Sequence, residues 1–418
     1  MEKCFVRNGR FEIDGVGIDE ILAGYDTPFY LYSASVIRDR YQRLADHFPG
    51  FDIFYSFKAN PGLAICKTLL SLGACADVSS MGELQAAQGV GFKPENIAFV
   101  GPGKTEKEIR FAIDSGIYVI AAESAHELAL IDSLAQRAGR PVDVLLRINT
   151  LETPISPEMM VGGPSKFGFD EETVVDDARG VPLKSARLTG IHVYSASQVL
   201  DSDFISDHLV YVMNLAIRLS KELGFELKCI DFGGGFGVPY QEGEMELDLK
   251  PISDAAEWVR RNLRQLLPGC RLIFEVGRYL VAESGVFVTR ALRVKGSRGI
   301  CFIITDGGMN HFSRPVFMRV NHQVLILNKI GLLRESKCSV GGPICTPLDI
   351  IGKEVMLPRP EPGDIIGILG AGAYGYTMSM HNFMSLGAPA EIMVDAGKVD
   401  LIRERVPAES LFPTQHTT

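Results

Sequence analysis

The residues from 51 to 278 alternate between short β-rich runs and longer helical patterns, and they do so eight times. The longer segments, such as 125–138 and 204–224, carry apolar residues at three- and four-residue spacings, as helices that pack on a sheet do. Eight βα units over a span of about 230 residues predict an α/β fold of the (β/α)8 TIM-barrel type. The predicted barrel strands are residues 51–58, 74–79, 96–101, 118–123, 142–149, 188–195, 227–232 and 272–277.

A different pattern follows Arg278, where closely spaced strand candidates are separated by Gly and Pro. Two more strand candidates, residues 5–13 and 28–32, precede a helical pattern that leads into the barrel. Short strands with such punctuation are typical of an all-β domain. We therefore predict two domains: a barrel over residues 34–280, and a β-sandwich or β-barrel built from both chain ends, residues 1–33 and 281–418. The later strand candidates include residues 286–295, 300–306, 323–329, 364–369 and 390–394.

The charge balance favours a protein that acts on small molecules. The 42 basic and 51 acidic residues give a formal net charge of −9 at pH 7, without long runs of like charge. This balance argues against nucleic acid or an anionic membrane as the principal partner. The eight cysteines include no Cys-x-x-Cys pair and no nearby histidine cluster, so we predict reduced thiols and no metal site. No apolar run approaches the length of a membrane span, so the cytoplasm is the expected location.

Lys58 ends the first predicted strand, immediately before the turn signal Asn60-Pro61. The carboxyl ends of parallel barrel strands face the active site, so an amine at this rim can condense with an aldehyde cofactor. A surface lysine at a strand end is the simpler alternative.

Two motifs at the ends of the last barrel strands fit an anion. The glycine run at residues 233–237 follows the seventh strand, where backbone N–H groups can approach a phosphate closely. Glu275 and Arg278 follow at the eighth strand, and a guanidinium can bind phosphate through two parallel hydrogen bonds. A tight strand-to-helix turn and an ion pair at the rim are the structural alternatives.

Two further motifs lie in the predicted β domain. Cys345 and Asp349 stand four residues apart beside turn-forming residues, and Tyr374 lies in a glycine-rich bend. A cysteine in an apolar run is more often a small core residue, and Tyr374 by itself is a loop tyrosine.

Taken in order, these motifs resemble those of the fold-type III decarboxylases that use pyridoxal phosphate, the family of the diaminopimelate and ornithine decarboxylases. The resemblance runs from about Pro28 to Val394 and implies an alanine-racemase-like barrel. The matching motifs are residues 57–60, 77–83, 165–168, 192–198, 233–235 and 275–278, and residues 345–349 with Tyr374.

The resemblance implies a role for each matching residue. Lys58 would hold pyridoxal phosphate covalently, and Glu275 would bond the pyridine nitrogen and so strengthen the cofactor as an electron sink. Alanine racemases place an arginine against this nitrogen, so Glu275 weighs against racemisation. The implied cofactor-binding residues are Lys58, Asp77, Tyr194, Ser197, Gly234, Gly235, Glu275, Gly277, Arg278 and Tyr374.

Cys345 would protonate the carbon that loses carbon dioxide, which makes it the third implied catalytic residue beside Lys58 and Glu275. In this family Cys345, Asp349 and Tyr374 would come from the second subunit. The resemblance therefore implies a homodimer with shared active sites, and an inactive monomer.

The chain departs from the family at positions that bear on the substrate. Tyr194 stands where a second histidine often stacks on the cofactor, which makes His192 a structural residue in our interpretation. Thr346 replaces the acidic residue that binds a distal amine, whereas Arg314 matches the arginine that grips a distal carboxylate. The implied substrate-binding residues are Arg314, Thr346 and Asp349.

The loop at residues 159–168, with Tyr194 and the segment 345–347, resembles a subgroup more closely. That subgroup includes the decarboxylase of butirosin assembly, which acts on a glutamyl group carried by an acyl-carrier protein, and exosortase-associated relatives. We therefore expect an amino-acid substrate with an acylated, carrier-linked or otherwise enlarged side chain. Free meso-diaminopimelate is the alternative, and a catalytically silent binding protein or an amino-acid racemase are alternatives of other kinds.

Overall fold

The computed structural model describes residues 2–7, 9–151, 158–159 and 162–417. The chain forms two compact units. The barrel unit comprises residues 41–238 and 246–279, and the sheet unit comprises residues 1–40, 239–245 and 280–418. The boundaries proposed from the sequence, at residues 34 and 280, stay predictions. Met160 and Val161, in the loop that resembles the butirosin-type subgroup, lie outside the described residues.

The barrel unit contains eight parallel strands that close on themselves, which confirms the predicted (β/α)8 fold. The first strand pairs with the eighth, with Phe54 opposite Glu275, and the fourth pairs with the fifth, with Ala121 opposite Leu145. The barrel strands are Asp52–Ser56, Cys75–Val78, Ile97–Phe99, Val119–Ala122, Val142–Asn149, Ala186–His192, Cys229–Asp231 and Arg271–Val276. The short strand Phe169–Asp170 extends the sheet beside the fifth strand, and Glu158–Met159 pairs antiparallel with Ala196–Ser197.

Local capping defines where the barrel helices begin and end. Thr105 and Glu108 form a reciprocal capping box at the start of one helix. Four helices end at a glycine with left-handed backbone, a conformation that glycine adopts without strain: Gly91, Gly116, Gly139 and Gly224. The helices within the barrel unit are Leu63–Ser71, Met81–Val90, Glu106–Ser115, Ala125–Ala138, Val174–Arg179, Ser202–Leu223 and Leu249–Leu266. Two more helices, Ala34–His47 and Arg278–Val281, begin in one unit and end in the other.

The interior of the barrel changes from apolar to polar along the strands. One buried cluster joins residues from every barrel strand except the sixth: Phe54, Cys75, Ala98, Val100, Val119, Ala121, Leu145, Cys229 and Ile273. The guanidinium of Arg271 lies over the rings of Phe54 and Tyr118, 5.0 and 4.4 Å from their centres, at the start of the eighth strand. Buried polar residues lie towards the carboxyl ends of the strands, among them Asp77, Arg147, His192, Asp231 and Glu275.

The sheet unit is built around a nine-stranded sheet to which both chain ends contribute, as predicted. Phe29–Ser33 pairs antiparallel with Gly285–Ser297 and parallel with Ala390–Asp395. The other strands of this sheet are Ile300–Thr305, Val324–Ile326, Ser336–Gly341, Ile350–Leu357, Ile365–Leu369 and Lys398–Arg403. The helices of the unit are Glu2–Phe5, Ile18–Leu22 and Arg314–Met318.

The sheet unit differs from the prediction in detail. Residues 5–13 do not form one strand, because Gly9 turns the chain with φ +72° between the short strands Val6–Arg7 and Arg10–Ile13. The strand Ile350–Leu357 was not among those predicted, since a bulge at Glu354, with φ +52°, interrupts its alternation.

Among the described residues, no helix combines the length and the apolar character needed to cross a membrane. The cytoplasmic location stays a prediction.

Candidate active site

Lys58 lies in a single 3-10 turn, Phe57–Ala59, that follows the first barrel strand. Two hydrogen bonds shape the chain just beyond it: the Tyr55 hydroxyl donates to the carbonyl of Asn60 at 2.7 Å, and Gly62 N–H donates to the Asn60 side chain at 3.0 Å. The Lys58 side chain is 36% exposed, and its Nζ is 3.7 Å from Asp77 Oδ2 and 5.0 Å from the centre of the Tyr194 ring. The amine is therefore held between an acid and an aromatic face.

Asp77 lies one residue before the end of the second strand and is opposite Ser56 in the register. Burial and the nearby charge of Glu275 raise the pKa of Asp77 to about 7, although Lys58 opposes this shift. Near neutral pH this carboxyl group can therefore exchange a proton beside the amine.

Glu275 is fully buried on the eighth strand, and His192 Nε2 lies 3.2 Å from its Oε2. Burial alone would raise the pKa of Glu275, but His192, Lys58 and Arg147 together lower it to about 2. Asp231 lies nearby at the end of the seventh strand, and burial and the charge of Glu275 raise its pKa well above the usual range. Glu275 is therefore ionised at neutral pH, whereas Asp231 holds its proton more tightly than an ordinary aspartate does.

The glycine run after the seventh strand is required by close packing. A Cβ atom on Gly234 would lie 1.8 Å from the carbonyl oxygen of Glu275, and one on Gly235, which has φ +95°, would lie 2.4 Å from that of Ala196. Gly277 is packed equally closely, since its Cβ would lie 2.8 Å from that of Ala59 in the lysine turn. These glycines let three loops converge at one rim.

Arg278 and Ser197 meet at the same rim, where Arg278 Nη2 donates to Ser197 Oγ at 2.9 Å. The barrel unit therefore brings together these predicted cofactor residues: Lys58, Asp77, Tyr194, Ser197, Gly234, Gly235, Glu275, Gly277 and Arg278. An amine, an ionised carboxylate and a guanidinium–hydroxyl pair complement an aldehyde, a protonated heterocycle and a phosphate.

The other predicted site residues belong to the sheet unit. Cys345 is exposed, and its N–H donates to Met384 Sδ at 3.1 Å. Tyr374 has φ +54°, an uncommon conformation for a tyrosine. Thr346 Oγ1 accepts a long hydrogen bond, 3.3 Å, from Leu348 N–H.

Asp349 and Arg314 have well-defined partners in the sheet unit. The Asp349 carboxylate is buried and accepts hydrogen bonds from Met309 N–H at 2.7 Å and Ile344 N–H at 3.0 Å, so it shapes the turn that carries Cys345. Arg314 is 2% exposed, its Nη1 is 2.8 Å from His322 Nε2, and its guanidinium stacks 3.8 Å from the centre of the Tyr240 ring. Substrate contacts by these two residues stay predictions.

A family model for the pyridoxal binding domain of pyridoxal-dependent decarboxylases matches residues 34–282. The chain belongs to this family. It is a pyridoxal-phosphate-dependent decarboxylase, as the sequence motifs implied, and its relatives decarboxylate amino acids.

Two characterised relatives of the decarboxylase span nearly its whole length. It is 36% identical to the L-glutamyl-[BtrI acyl-carrier protein] decarboxylase of Niallia circulans, over 97% of each chain. It is 33% identical to the diaminopimelate decarboxylase of Aquifex aeolicus, over 96% of this chain and 94% of that protein. Its structure is similar to that of the diaminopimelate decarboxylase of Helicobacter pylori complexed with L-lysine, with a TM-score of 0.86, 32% identity and coverage of 94% and 98% of the two chains.

Sequence reasoning gave no site role to three polar residues that lie close to Glu275. His192 was interpreted as structural and contacts Glu275, Asp231 immediately precedes the motif of the glycine run, and Arg147 carries no motif of its own. Arg147 Nη1 donates to Glu123 at 2.9 Å, and Glu123 also accepts the N–H of Gly168, which fixes the end of the loop after the fifth strand. The sequence signal that could have indicated these residues was a charged or imidazole side chain near the carboxyl end of an otherwise apolar strand.

Proposed function

We propose that this decarboxylase removes the α-carboxylate of an amino acid whose side chain is acylated, carrier-linked or otherwise enlarged, and releases an amine and carbon dioxide. The observation that carries this proposal is the 36% identity, over 97% of both chains, with a decarboxylase named for a glutamyl group on an acyl-carrier protein. Thr346 directly after Cys345 supports it, because an uncharged residue there offers no partner to a distal ammonium group.

In this proposal Lys58 carries the cofactor, Glu275 faces its ring nitrogen, and Tyr194 lies against the ring. Arg278, Ser197, Gly235 and Tyr374 hold the phosphate. A fit to the cofactor is supported by Glu275, whose buried Oε1 has no hydrogen-bond partner within the described part of the chain and can accept one from a protonated ring nitrogen.

Pyridoxal phosphate supplies the electron sink that stabilises a carbanion at the α-carbon. The chain contributes Asp77, which can exchange a proton beside Lys58 near neutral pH, and Glu275, whose lowered pKa favours the carboxylate form. Cys345 is the proposed proton donor to the α-carbon.

We further propose a homodimer in which Cys345, Asp349 and Tyr374 complete the partner's site. An apolar surface near the proposed proton donor supports this arrangement, because large exposed apolar side chains mark interaction sites. Cys345 contacts Met384 through its backbone, and four large apolar side chains of the same segments are 41–63% exposed: Leu348, Phe383, Met384 and Leu386.

Free meso-diaminopimelate is the second candidate substrate. Arg314 and the 33% identity with the Aquifex aeolicus enzyme favour it. The contacts of Arg314 with His322 and Tyr240 weigh against it, because a distal carboxylate would compete with these partners for the guanidinium.

The test is release of labelled carbon dioxide from a panel: free glutamate, ornithine, meso-diaminopimelate, and glutamate attached by a thioester to a carrier protein or to pantetheine. We expect turnover of the thioester-linked substrate and at least about tenfold lower kcat/KM for the free amino acids, equivalent to roughly 1.4 kcal/mol of transition-state binding. Preferential turnover of free meso-diaminopimelate would refute the proposed substrate. Release of no carbon dioxide from any substrate, with exchange of the α-proton, would instead indicate a racemase.

A further inference from the structure

We propose that His192 is a positioning residue for Glu275, whose carboxylate it fixes in direction towards the ring nitrogen of the cofactor. This inference rests on the proposed role of Glu275. It gives a function to a buried histidine that the sequence motifs left as a structural residue.

The closed barrel places His192 in a polar layer. In the register of the parallel strands, His192 lies opposite Arg147 on one side and opposite Asp231 on the other. Its Nε2 reaches past the seventh strand to within 3.2 Å of Glu275 Oε2, and both side chains are at most 1% exposed. A contact so deeply buried is shielded from water and from salt.

The surroundings of Glu275 make this contact necessary. Two other buried carboxyl groups, Asp77 and Asp231, lie close enough for their pKa values to be raised by the Glu275 charge. Which of the three carboxyl groups keeps a negative charge depends on which of them has a hydrogen-bond donor or a cation nearby. His192 lowers the pKa of Glu275 more strongly than Lys58 and Arg147 do.

His192 has no evident structural task that would explain it otherwise. Neither of its ring nitrogens makes a hydrogen bond of good geometry to any of the described residues, and its Nε2 instead approaches the Glu275 carboxylate at 3.2 Å. The buried His208 behaves differently, since its Nδ1 is 3.2 Å from Ser195 Oγ and its Nε2 is 3.2 Å from the carbonyl oxygen of Phe232. His208 links two loops of the barrel, whereas His192 is directed at a carboxylate.

A divalent cation is the competing occupant of this cluster. One ligand atom each from His192, Asp231 and Glu275 lie within 4.8 Å of one another. These three ligand atoms are fewer than the four that a closed structural zinc site uses, and Asp231 Oδ1 already accepts the N–H of Gly233 at 2.9 Å. The positioning role is therefore the better interpretation.

The experiment compares His192→Gln and His192→Asn with the matched buried variant His208→Gln, all in the full chain. The first readout is the dissociation constant of pyridoxal phosphate for cofactor-free protein. We expect it to rise about ten- to a hundredfold in both His192 variants, the loss associated with a hydrogen bond to a charged group, and to change less than about twofold in His208→Gln. The second readout is nitrogen-15 NMR of cofactor labelled at the ring nitrogen, which should report a loss of protonation only in the His192 variants.

A double-mutant cycle shows whether His192 acts through Glu275. In a Glu275→Gln background the further change His192→Gln should alter the dissociation constant by less than about twofold, since its target is already neutral. Equal effects of His192→Gln in both backgrounds, or unchanged ring protonation, would overturn the proposal. Stoichiometric divalent metal in the purified protein, lost in Asp231→Asn, would overturn it in favour of a cation site.

The outcomes separate this inference from the proposed function. If Glu275→Gln weakens cofactor binding and His192→Gln behaves like His208→Gln, the role of His192 is wrong and the proposed function stands. If borohydride fixes no cofactor on Lys58 of the wild-type chain, the proposed function itself fails.

Discussion

Lys58 Nζ lies 3.7 Å from the carboxylate of Asp77, across the ends of the first two barrel strands. The lysine is partly exposed, whereas the side chain of Asp77 is fully buried. The pair therefore places a reactive amine at the rim beside a carboxyl group whose pKa is raised by its burial in the barrel interior.

Replacing Lys58 should abolish the covalent cofactor site. In Lys58→Ala the aldehyde has no amine at this rim, so the absorbance of the bound cofactor should disappear and activity should fall to background. Borohydride reduction of the wild-type protein followed by peptide mapping should place the label on Lys58. The exposed lysine Lys166, on the loop after the fifth strand, provides the control, because Lys166→Ala should retain the label.

Replacing Cys345 should damage protonation more than loss of carbon dioxide. Cys345→Ala should lower formation of the correct amine by about 10²- to 10⁴-fold, the usual contribution of a positioned acid, and should divert turnover towards the amine form of the cofactor. Mass spectrometry of the products distinguishes the correct amine from the amine form of the cofactor. Cys301→Ala, at a half-buried strand position, should match wild type, and wild-type rate and product in Cys345→Ala would refute the assignment.

Mixing two inactive variants should restore activity if the sites are shared between subunits. In an equal mixture of Lys58→Ala and Cys345→Ala chains, half of the dimers carry both variants, and each of these has one intact site. We therefore expect about one quarter of wild-type activity after subunit exchange. Activity that stays at the level of the separate variants would show that Lys58 and Cys345 act from the same chain.

The stability of the cofactor-free protein should depend on pH through Asp77. Its folded pKa, about 7, is raised above the ordinary value of 3.8, so the folded state keeps a proton that the unfolded state loses. Wild-type stability relative to Asp77→Asn should therefore fall as the pH rises from about 4 to about 7, by on the order of a few kcal/mol, and stay constant above that range. Urea unfolding at a series of pH values measures the difference.

Asp132 should show the opposite sign in the same experiment. Burial acts to raise its pKa, but hydrogen bonds from the N–H groups of Ala186, Ser185 and Lys184 lower it overall. Its stabilising effect is present above the unfolded pKa and is lost as the pH falls through the folded pKa. If the stability difference from wild type changed with pH in the same direction for Asp77→Asn and Asp132→Asn, the opposite pKa shifts assigned to Asp77 and Asp132 would be contradicted.

Much of the fold followed from local patterns. The helix Ala125–Ala138 and the strand Val142–Asn149 have the bounds predicted for them, because amphipathic spacing and β-branched runs act over neighbouring residues. The strand predicted for residues 5–13 failed because a single positive-φ glycine, Gly9, divided it. The edge strand Lys398–Arg403 was not predicted, because its side chains are mostly half-buried or exposed and show no clear alternation of buried and exposed positions.

The candidate site was predictable where a motif sits on one strand end. Lys58, the glycine run and Arg278 were predicted in this way, and the structure brings them to the same rim; their roles stay predictions. The partners of Asp349 and Arg314 were not, because hydrogen bonds to Met309 and the ring of Tyr240 join distant parts of the chain.

The sequence by itself determined the eight-unit barrel, the lysine at its rim and the family of the enzyme, since each depends on residues close together along the chain. Only the tertiary structure decided which polar groups meet inside the barrel. Closure of the barrel buried Asp77, Asp231 and Glu275 together and placed His192 Nε2 3.2 Å from Glu275. Burial raises the free energy of every charge, so the pKa of each carboxyl group depends on neighbours that are distant along the chain.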